Sequence, residues 1–403
     1  MRTIFIGTYV DSTLIENING KSDNSSQISV AAIKYSKLIA EGLDYNSSSN
    51  INLFLAPLGM FPSCKLIFFY HQKQSNNYFI PFINIFLLKQ ASIAIYCLFF
   101  LTIWYLKNIK HQKYVFLGFL YLPFLIASYP FKVLPNIKFV SFIPDLPEFS
   151  FTYTNTKSVA KKILIPIYIW WTTVMSSCID HFVFITKHMT RFFPNKPYFI
   201  IEGFTDFNLL VSLKEENYVS NKKAIMYAGA LFDKFGVNTL VDAFMGIPGE
   251  FELWLFGYGD LIETIIYKSK IDPRIKFFGN ISNHEVFEFE KKSRLLVNPR
   301  PLNHEFTKYS FPSKLLEYMS SGTPVLTTKL ECIPSDYFDK LYFFKDDSLL
   351  EIRKSLIEKL LLSDHELNNM GDSAKSFILN EKNNYKLIAD LITNLNSFYL
   401  NNA

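Results

Sequence analysis

Residues 307–328 read TKYSFPSKLLEYMSSGTPVLTT and contain a short segment with the start and stop signals of a helix. Pro312 suits the first turn of a helix, because its missing N–H group would have no intrahelical partner there. Gly322 suits the position just past the helix end, and Pro324 prevents continuation. The pattern predicts a helix over residues 313–321 that is flanked by two apolar runs.

The start of this helix departs from ordinary capping. A capping box needs Glu or Gln three residues after the capping residue, but Leu316 holds that place after Ser313, and Glu317 follows it. Lys314 lies in the first turn, where the helix dipole disfavours a cation. An anion bound here would explain both features, because backbone amides and Lys314 could hold phosphate oxygens. Glu317 could then reach a vicinal diol such as ribose. The alternative is a solvated lysine beside a surface glutamate.

Short apolar runs alternate with amphipathic segments throughout the second half of the chain. The predicted strands are AIMYAG (224–229), FELWLFG (251–257), IKFFG (275–279), LLVNP (295–299) and PVLTT (324–328). The predicted helices between them cover residues 236–244, 261–269, 283–293 and 313–321. This alternation is typical of βαβ units and a parallel sheet. Glycines follow several of the strands, where an open α/β sheet binds its ligand.

The first half is predicted to be a second α/β unit. Strands are expected at residues 4–10, 65–70, 114–120, 137–143 and 181–186, and helices near 29–42, 82–107 and 158–179. Residues 202–222 are expected to connect the two units. The chain has 403 residues, of which 49% are hydrophobic, and this is enough to bury two cores.

Cysteine and histidine usage argues against a disulfide framework or a metal site. The four cysteines are far apart, and the seven histidines form no H-x-x-x-H pair. We therefore expect a reducing compartment and no metal cofactor. The N-terminal residues MRTIFIGTYVDS are interpreted as a core strand and not as a secretion signal, which favours the cytoplasm.

Charge is distributed unevenly along the chain. Residues 1–200 hold 18 Lys plus Arg against 8 Asp plus Glu, and no acidic residue occurs between Asp44 and Asp145. A basic and apolar segment of this kind predicts an anionic membrane surface nearby. Within it, Gln90 to Leu106 is uncharged over 17 residues. This run fits a buried crossover helix, a helix in the membrane interface or a marginal membrane span.

The run NPRPLNHEFTKYSFPSKLLEYMSSGTPVLTTKL (298–330) resembles the donor-site signature of GT-B retaining glycosyltransferases of family 4, the group 1 glycosyl transferases. Three motifs precede it in the family's order, namely YAGALFDKFGVNTLVDAF, LWLFGYGD and IKFFGNIS. The resemblance implies an α/β fold of the GT-B type, with two Rossmann-like domains facing a central cleft. The implied parts are an acceptor-side domain (1–204), a nucleotide-sugar domain (205–375) and a C-terminal helix segment (376–403) returning to the first domain.

The resemblance also implies roles for residues at the start of the 313–321 helix. Glu317 matches the family's second glutamate, which holds the nucleotide ribose. Tyr309 replaces the first glutamate, which contacts the transferred sugar. A phenol can donate a hydrogen bond to a sugar but carries no charge. Ser313 and Lys314 would contact the donor at the helix start.

Further roles fall on loops at the ends of other predicted strands. The family's Gly-Arg pair is Gly229-Ala230 here, so the arginine is missing, and Lys234 is the remaining cation for the donor diphosphate. Gly279 matches the loop whose backbone contacts the base. In the first domain, Asp145 and Thr186 are possible cleft residues.

The function that the resemblance implies is retaining hexosyl transfer from a nucleotide-sugar to a growing or lipid-linked saccharide in bacterial surface polysaccharide synthesis. Lys234, Lys314 and Glu317 are the expected catalytic residues, and no metal is expected. The protein would act in the cytoplasm at the inner face of the membrane, without nucleic acid. The alternatives are a non-catalytic sugar-nucleotide-binding partner subunit and a GT-B nucleotide-sugar 2-epimerase.

Overall fold

The structure is a computed structural model with two compact units. Unit 1 consists of Met1–Phe204 and Asn384–Ala403, and unit 2 consists of Thr205–Asn383. The residues that the structure describes are 1–10, 30–146, 159–212, 221–303 and 305–400.

Unit 1 is built on a parallel sheet of seven strands. They are β1 (Arg2–Thr8), β2 (Asn50–Leu55), β4 (Asn77–Phe79), β6 (Lys113–Leu117), β7 (Ile137–Ile143), β8 (His181–Phe184) and β9 (Tyr198–Ile200). Their order is β4-β2-β1-β6-β7-β8-β9. A separate antiparallel pair is formed by β3 (Phe68–Phe69) and β5 (Phe82–Ile83). Strands such as β6, with the sequence KYVFL, are buried along their whole length, as expected where helices cover both faces of a parallel sheet.

The helices of unit 1 that precede unit 2 in the sequence are α1 (Val30–Asn46), α2 (Leu88–Lys107), α3 (Leu122–Ser128) and α4 (Val159–Met175). Helix α3 packs against both α2 and α4. The sheet core is filled largely by phenylalanine, and Phe5, Phe116, Phe142 and Phe182 are completely buried. The abundance of Phe in the composition therefore reflects its use, beside Leu and Ile, as a core residue.

Unit 2 contains a parallel sheet of six strands. They are β10 (Asn221–Ala228), β11 (Glu252–Phe256), β12 (Ile275–Gly279), β13 (Ser293–Asn298), β14 (Val325–Thr328) and β15 (Tyr342–Phe344). Their order is β12-β11-β10-β13-β14-β15. Strands β10, β11 and β12 follow one another toward one edge of the sheet, and β13, β14 and β15 follow one another toward the other edge. This is the strand order of a doubly wound, Rossmann-like sheet.

The helices of unit 2 are α5 (Phe207–Ser212), α6 (Val237–Met245), α7 (Ile262–Ile271), α8 (Asn283–Lys292), α9 (Lys314–Ser321), α10 (Leu349–Leu360) and α11 (Asp364–Glu381). Short 3-10 turns in the chain cover Tyr129–Val133, Ser176–Cys178, Lys187–Phe192, Asp233–Phe235, Glu305–Lys308 and Ser335–Tyr337. Reciprocal capping boxes fix the starts of α8, through Ser282 and Glu285, and of α11, through Ser363 and Glu366.

Helix α12 (Asn384–Leu400) follows unit 2 in the sequence and packs within unit 1 against α1. Asn384 Nδ2 donates a hydrogen bond to the Leu38 carbonyl at 3.2 Å. The rings of Tyr45 and Tyr385 stack with their centroids 4.4 Å apart. Position 376, where we placed the start of this segment, lies inside α11 instead. Residues of α11 are buried in unit 2, so the chain leaves unit 2 only at Asn384.

The predicted strands of unit 2 are confirmed to within a few residues, but one strand prediction in unit 1 is wrong. Residues 65–70 were predicted as a strand, whereas only Phe68 and Phe69 are extended, outside the main sheet. The strand beside β1 is β2, which begins with the polar sequence Asn-Ile-Asn. The Asp44 carboxylate accepts hydrogen bonds from Asn50 and Asn52, at 2.8 and 2.9 Å. Asn50 and Asn52 are buried, and these hydrogen bonds make polar residues acceptable in the strand.

Among the described residues, α2 is the one helix that is long and apolar enough to cross a membrane by length and composition alone. Ile93, Cys97 and Leu101 are nevertheless completely buried in unit 1. One face of α2 is therefore part of the core. This agrees with the crossover-helix interpretation and leaves a second face to be explained.

Candidate functional site

The candidate site of unit 2 lies where its strand order reverses, between β10 and β13. Ligands of open α/β sheets bind outside the carboxyl ends of the strands at such a point. Gly229 and Lys234 follow β10, and Pro299 and Arg300 follow β13. The two loops pack closely, because a Cβ atom at Gly236, which has a φ of 76°, would lie 2.0 Å from the Pro299 carbonyl oxygen.

The ends of β10, β11 and β12 form a rim of closely packed glycines. A Cβ atom at Gly257 would lie 1.8 Å from the Gly229 carbonyl oxygen, and the Gly257 N–H donates a hydrogen bond to the Gly279 carbonyl at 2.8 Å. Gly279 has a φ of 75°, and a Cβ atom there would meet nothing within 4 Å. The space beside Gly279 is thus open, as the proposed contact between its backbone and a base requires.

Helix α9 starts as predicted, without side-chain capping by Ser313. Lys314 Nζ lies 2.5 Å from Glu317 Oε2, and both side chains are about one third exposed. The two residues that we assigned separately to phosphate and ribose are therefore paired with each other. A ligand at the helix start would meet an ion pair and not an isolated cation.

The first turns of α9 are held against the end of β10 by Tyr318. The buried Tyr318 hydroxyl accepts a hydrogen bond from the Ala228 N–H at 2.7 Å and donates one to the Ala228 carbonyl at 3.1 Å. Burial and then the nearby Glu290 carboxylate raise the pKa of Tyr318, which keeps it neutral. This contact places Lys314 and Glu317, on the same helix, near the carboxyl end of β10.

Arg300 lies at the switch point and was not assigned by our sequence interpretation. Its guanidinium carbon lies 5.4 Å from the centroid of the Phe235 ring, and Nη1 donates to the Ser310 carbonyl at 3.0 Å. Lys234 Nζ lies 5.2 Å from the centroid of the same ring. Two cations thus share one aromatic ring at the switch point. The signal for Arg300 was its place directly after the strand that flanks this point.

The remaining predicted residues are less accessible or lie in unit 1. Tyr309 is only 6% exposed, so little of its side chain could contact a sugar in this conformation. Asp145 follows β7 and is exposed, and partial desolvation of its carboxylate raises its pKa. Thr186 follows β8 and is 2% exposed, so it offers almost no surface to a ligand.

Comparison with known proteins supports a glycosyltransferase domain in unit 2. Residues 212–377 match the family model described as glycosyl transferases group 1. This match covers the two loops at the switch point, the glycine rim and helix α9. No curated protein sequence matches the chain.

Solved structures resemble the whole chain at low sequence identity. Sucrose-phosphate synthase from Thermosynechococcus elongatus has 13% identity and a TM-score of 0.60, with 100% of both chains covered. Anabaena HepE in complex with UDP has 12% identity and a TM-score of 0.56, covering 98% of this chain and 100% of its own. A glycosyltransferase from Rickettsia africae has 11% identity and a TM-score of 0.59, covering 100% and 99%. The predicted fold class, two α/β domains with parallel sheets as in GT-B glycosyltransferases, is confirmed.

Proposed function

We propose that the protein is a retaining glycosyltransferase that moves a hexosyl group from a nucleotide-sugar to a saccharide acceptor. The observation that carries this proposal is the pair of cations, Lys234 and Arg300, on one ring at the switch point of a domain that matches the group 1 glycosyl transferases. Both side chains carry a positive charge, and charge-assisted hydrogen bonds from such groups are the strong contacts that phosphate oxygens make in proteins.

Each part of the site has a role toward a nucleoside diphosphate. Lys234 and Arg300 would bind the two phosphates, and the amides at the start of α9 would add donors there. Glu317 would accept hydrogen bonds from the ribose hydroxyls, with Lys314 holding its carboxylate in place or moving to a phosphate. The open backbone at Gly279 would receive the base. HepE, which resembles this chain, binds UDP and UDP-glucose, and this supports a uridine nucleotide as the first donor to test.

Catalysis would rest on stabilising the leaving group. As the bond between the anomeric carbon and the diphosphate oxygen breaks, negative charge grows on the phosphate, while the acceptor hydroxyl forms the new bond to the anomeric carbon and gives its proton to the departing diphosphate oxygen. Lys234, Arg300 and the α9 amides are preorganised for that charge, and such groups contribute the most to catalysis when they need not move. We propose that this charge set acts without a metal ion.

The acceptor that we propose is a growing or lipid-linked saccharide of a bacterial surface polysaccharide. An enzyme acting on it would work at the inner face of the cell membrane. The basic, acid-free stretch between Asp44 and Asp145 supports this location, because anionic lipids attract such segments.

A non-catalytic sugar-nucleotide-binding subunit is the second candidate. It is favoured by the burial of Tyr309 and by the pairing of Lys314 with Glu317, since both reduce the groups that are available to a donor sugar. The 2-epimerase alternative gains no such support from the structure.

Nucleotide binding and turnover test the proposal together. Calorimetry with UDP and GDP should detect binding, and Arg300→Gln should weaken it about 10- to 100-fold, because a charge-assisted contact contributes about 1.5–3 kcal/mol. Lys223→Gln, at the opposite end of β10, is the matched control and should leave affinity unchanged. Release of UDP or GDP from a donor panel with saccharide acceptors then separates an enzyme from a binding subunit. If Arg300→Gln binds the nucleotide as tightly as the unaltered protein, the proposed site is disproved.

A further inference from the structure

Helix α2 exposes an apolar face to solvent. Ile95, Phe99 and Leu106 are 68%, 64% and 62% exposed, and Leu98 and Ile103 are more than one third exposed. At 3.6 residues per turn these positions form one stripe along the helix. No charged residue interrupts the stripe before Lys107.

The opposite face of the same helix is anchored in the core. Its buried residues are Lys89, Ile93, Cys97, Leu101, Trp104 and Tyr105. A membrane span would have to pull this face out of unit 1 and expose it to lipid, together with the buried Lys89. The structure therefore favours a helix that lies flat, with one face packed on protein and the other available to a partner.

The apolar surface continues before the helix. Ile85, Phe86, Leu87 and Leu88 are four consecutive exposed apolar residues. Leu87 has a φ of 62°, a left-handed conformation that is costly for a side chain of this kind. Loops in water are normally polar, and a large contiguous apolar surface that is exposed marks an interaction site.

Positive charge borders this surface. Lys107, the last residue of α2, and Lys110, just beyond it, are exposed, and no acidic residue occurs from residue 45 to residue 144. Exposed aromatic residues, which favour membrane interfaces, also occur on α4 at Trp170 and Trp171. Helix α4 packs on α3, which packs on α2.

We infer that the outer face of α2 and the preceding residues 85–88 form a membrane-docking surface that lies in the interface of an anionic bilayer. Apolar side chains flanked by lysines are typical of helices that lie in that interface, inserted about 5–10 Å deep. A second copy of the chain is a less suitable partner, because residues 1–200 carry 18 basic and only 8 acidic residues and two copies would repel each other. The inference concerns docking alone and does not depend on the proposed transfer activity.

Lys113 does not belong to the lysines that would meet lipid. It is 0% exposed, and its Nζ donates hydrogen bonds to the carbonyls of Asn108, Ile109 and His111. Lys113 therefore closes the C-terminal end of α2. Reversing its charge would damage the fold, so it is left out of the test.

Vesicle flotation tests the docking surface. The intact chain should float with vesicles containing about 30 mol% phosphatidylglycerol and not with pure phosphatidylcholine, and binding should fall as salt rises. The double variant Ile95→Gln/Phe99→Gln should lose binding about tenfold or more. Lys107→Glu/Lys110→Glu should also weaken binding, since each lysine near the surface contributes about 1 kcal/mol, or about fivefold.

Matched controls lie in unit 2. Leu350→Gln/Leu361→Gln removes two equally exposed apolar side chains, 73% and 77% exposed, and should leave flotation unchanged. Circular dichroism checks that each variant folds. Absence of binding at low salt, or equal loss in the control, would overturn the inference. The inference would also be overturned if the unaltered chain formed a dimer and only the Ile95→Gln/Phe99→Gln variant were monomeric, since the surface would then bind a second copy.

A fluorescent label tests the orientation directly. All four native cysteines are buried, so a cysteine introduced at Phe99 or Leu361 can be labelled selectively with a polarity-sensitive dye. The dye at residue 99 should brighten and shift to the blue on anionic vesicles, and the dye at residue 361 should not. The same response at both positions, or at neither, would contradict docking through α2.

Discussion

The ion pair between Lys314 and Glu317 is open to two interpretations at the scale of single residues. As a partly exposed pair one turn apart on a helix, it would contribute about 0.3–0.5 kcal/mol to stability and nothing to binding. As part of a donor site, the same atoms would reorganise around a ribose and a phosphate. Measurements of stability and of nucleotide affinity distinguish these cases. Changing either residue should alter nucleotide affinity only if the pair is part of a donor site.

We therefore predict that Glu317→Gln and Lys314→Met each slow sugar transfer, measured as the rate of nucleotide release. The expected loss of transition-state stabilisation is about 2–4 kcal/mol for each variant. Their melting temperatures should change little, because the pair is partly exposed. The double variant should lose less than the sum of the two single losses, since the residues act together. Steady-state kinetics and thermal melts measure both effects. Full activity in both single variants would show that Lys314 and Glu317 form only a surface ion pair and take no part in donor binding.

Tyr309 takes the place of a glutamate that contacts the sugar in the family. Because the side chain is 6% exposed, a glutamate introduced there would bury a charge, and Tyr309→Phe is the sharper change. We predict that Tyr309→Phe alters the ratio of kcat/KM values between two nucleotide-sugars by about 5- to 10-fold while nucleotide affinity stays constant. Competition assays with paired donors measure the ratio. An unchanged ratio would mean that the hydroxyl does not reach the donor sugar.

At the scale of elements, glycines at the ends of strands and helices provide a matched pair. Gly279 ends β12 with a φ of 75°, and Gly322 ends α9 with a φ of 81°. Replacing either by Ala forces a left-handed alanine and should cost about 1–2 kcal/mol of stability. The two positions differ in surroundings, because a methyl group at Gly279 would enter open space, while one at Gly322 would contact Lys375 at 3.3 Å.

We predict that Gly279→Ala lowers nucleotide affinity at least about tenfold, because its methyl group would occupy space proposed for the base. Gly322→Ala should lose similar stability and keep its affinity. Calorimetry and thermal melts on the two variants give the comparison. If Gly279→Ala binds the nucleotide as tightly as the unaltered protein, the base lies elsewhere. If both variants lose affinity equally, the loss is a general effect of destabilisation.

At the scale of the whole molecule, a buried histidine joins the last helix, α12, to strand β8 within unit 1. His181 Nδ1 lies 2.9 Å from the Tyr399 hydroxyl of α12. Burial is the main cause that lowers the pKa of His181 to about 4; the nearby Asp180 carboxylate opposes this shift, and the charges of Lys138 and Lys196 add to it. In the unfolded chain the pKa of a histidine is about 6.5.

The unfolded chain therefore takes up this proton first as the pH falls. Stability is fully present above about pH 6.5 and is lost toward pH 4, and we predict a decrease of about 2 kcal/mol between about pH 7 and pH 5. Urea unfolding followed by circular dichroism measures the decrease. His181→Phe should flatten the dependence, and His365→Gln, on an exposed helix position, should retain it. A His181→Phe protein with the original pH dependence would assign the effect to other groups.

Local chemistry in the sequence determined five of the six strands of unit 2, β10 to β14, and the start and end of α9. Period, glycine and proline act over a few residues, so Pro312 and Gly322 mark the helix wherever it packs. The same reasoning placed Gly279 at a strand end, whereas Lys234 was assigned through the family resemblance. It failed for β2, because Asn50 and Asn52 are acceptable in a buried strand only once Asp44 is beside them.

Long-range packing decided what local patterns leave open. Arg300 and Lys234 are 66 positions apart in the sequence, and only the order β10-β13 brings both to the Phe235 ring. The run at 90–106 carries no charge on any side and is mostly apolar, so its sequence gives little indication of which face is core. Unit 1 buries one face of α2 and leaves the other in solvent. The physical reason is that a residue's burial depends on which elements surround it, and chain topology sets that at distances far beyond any local motif.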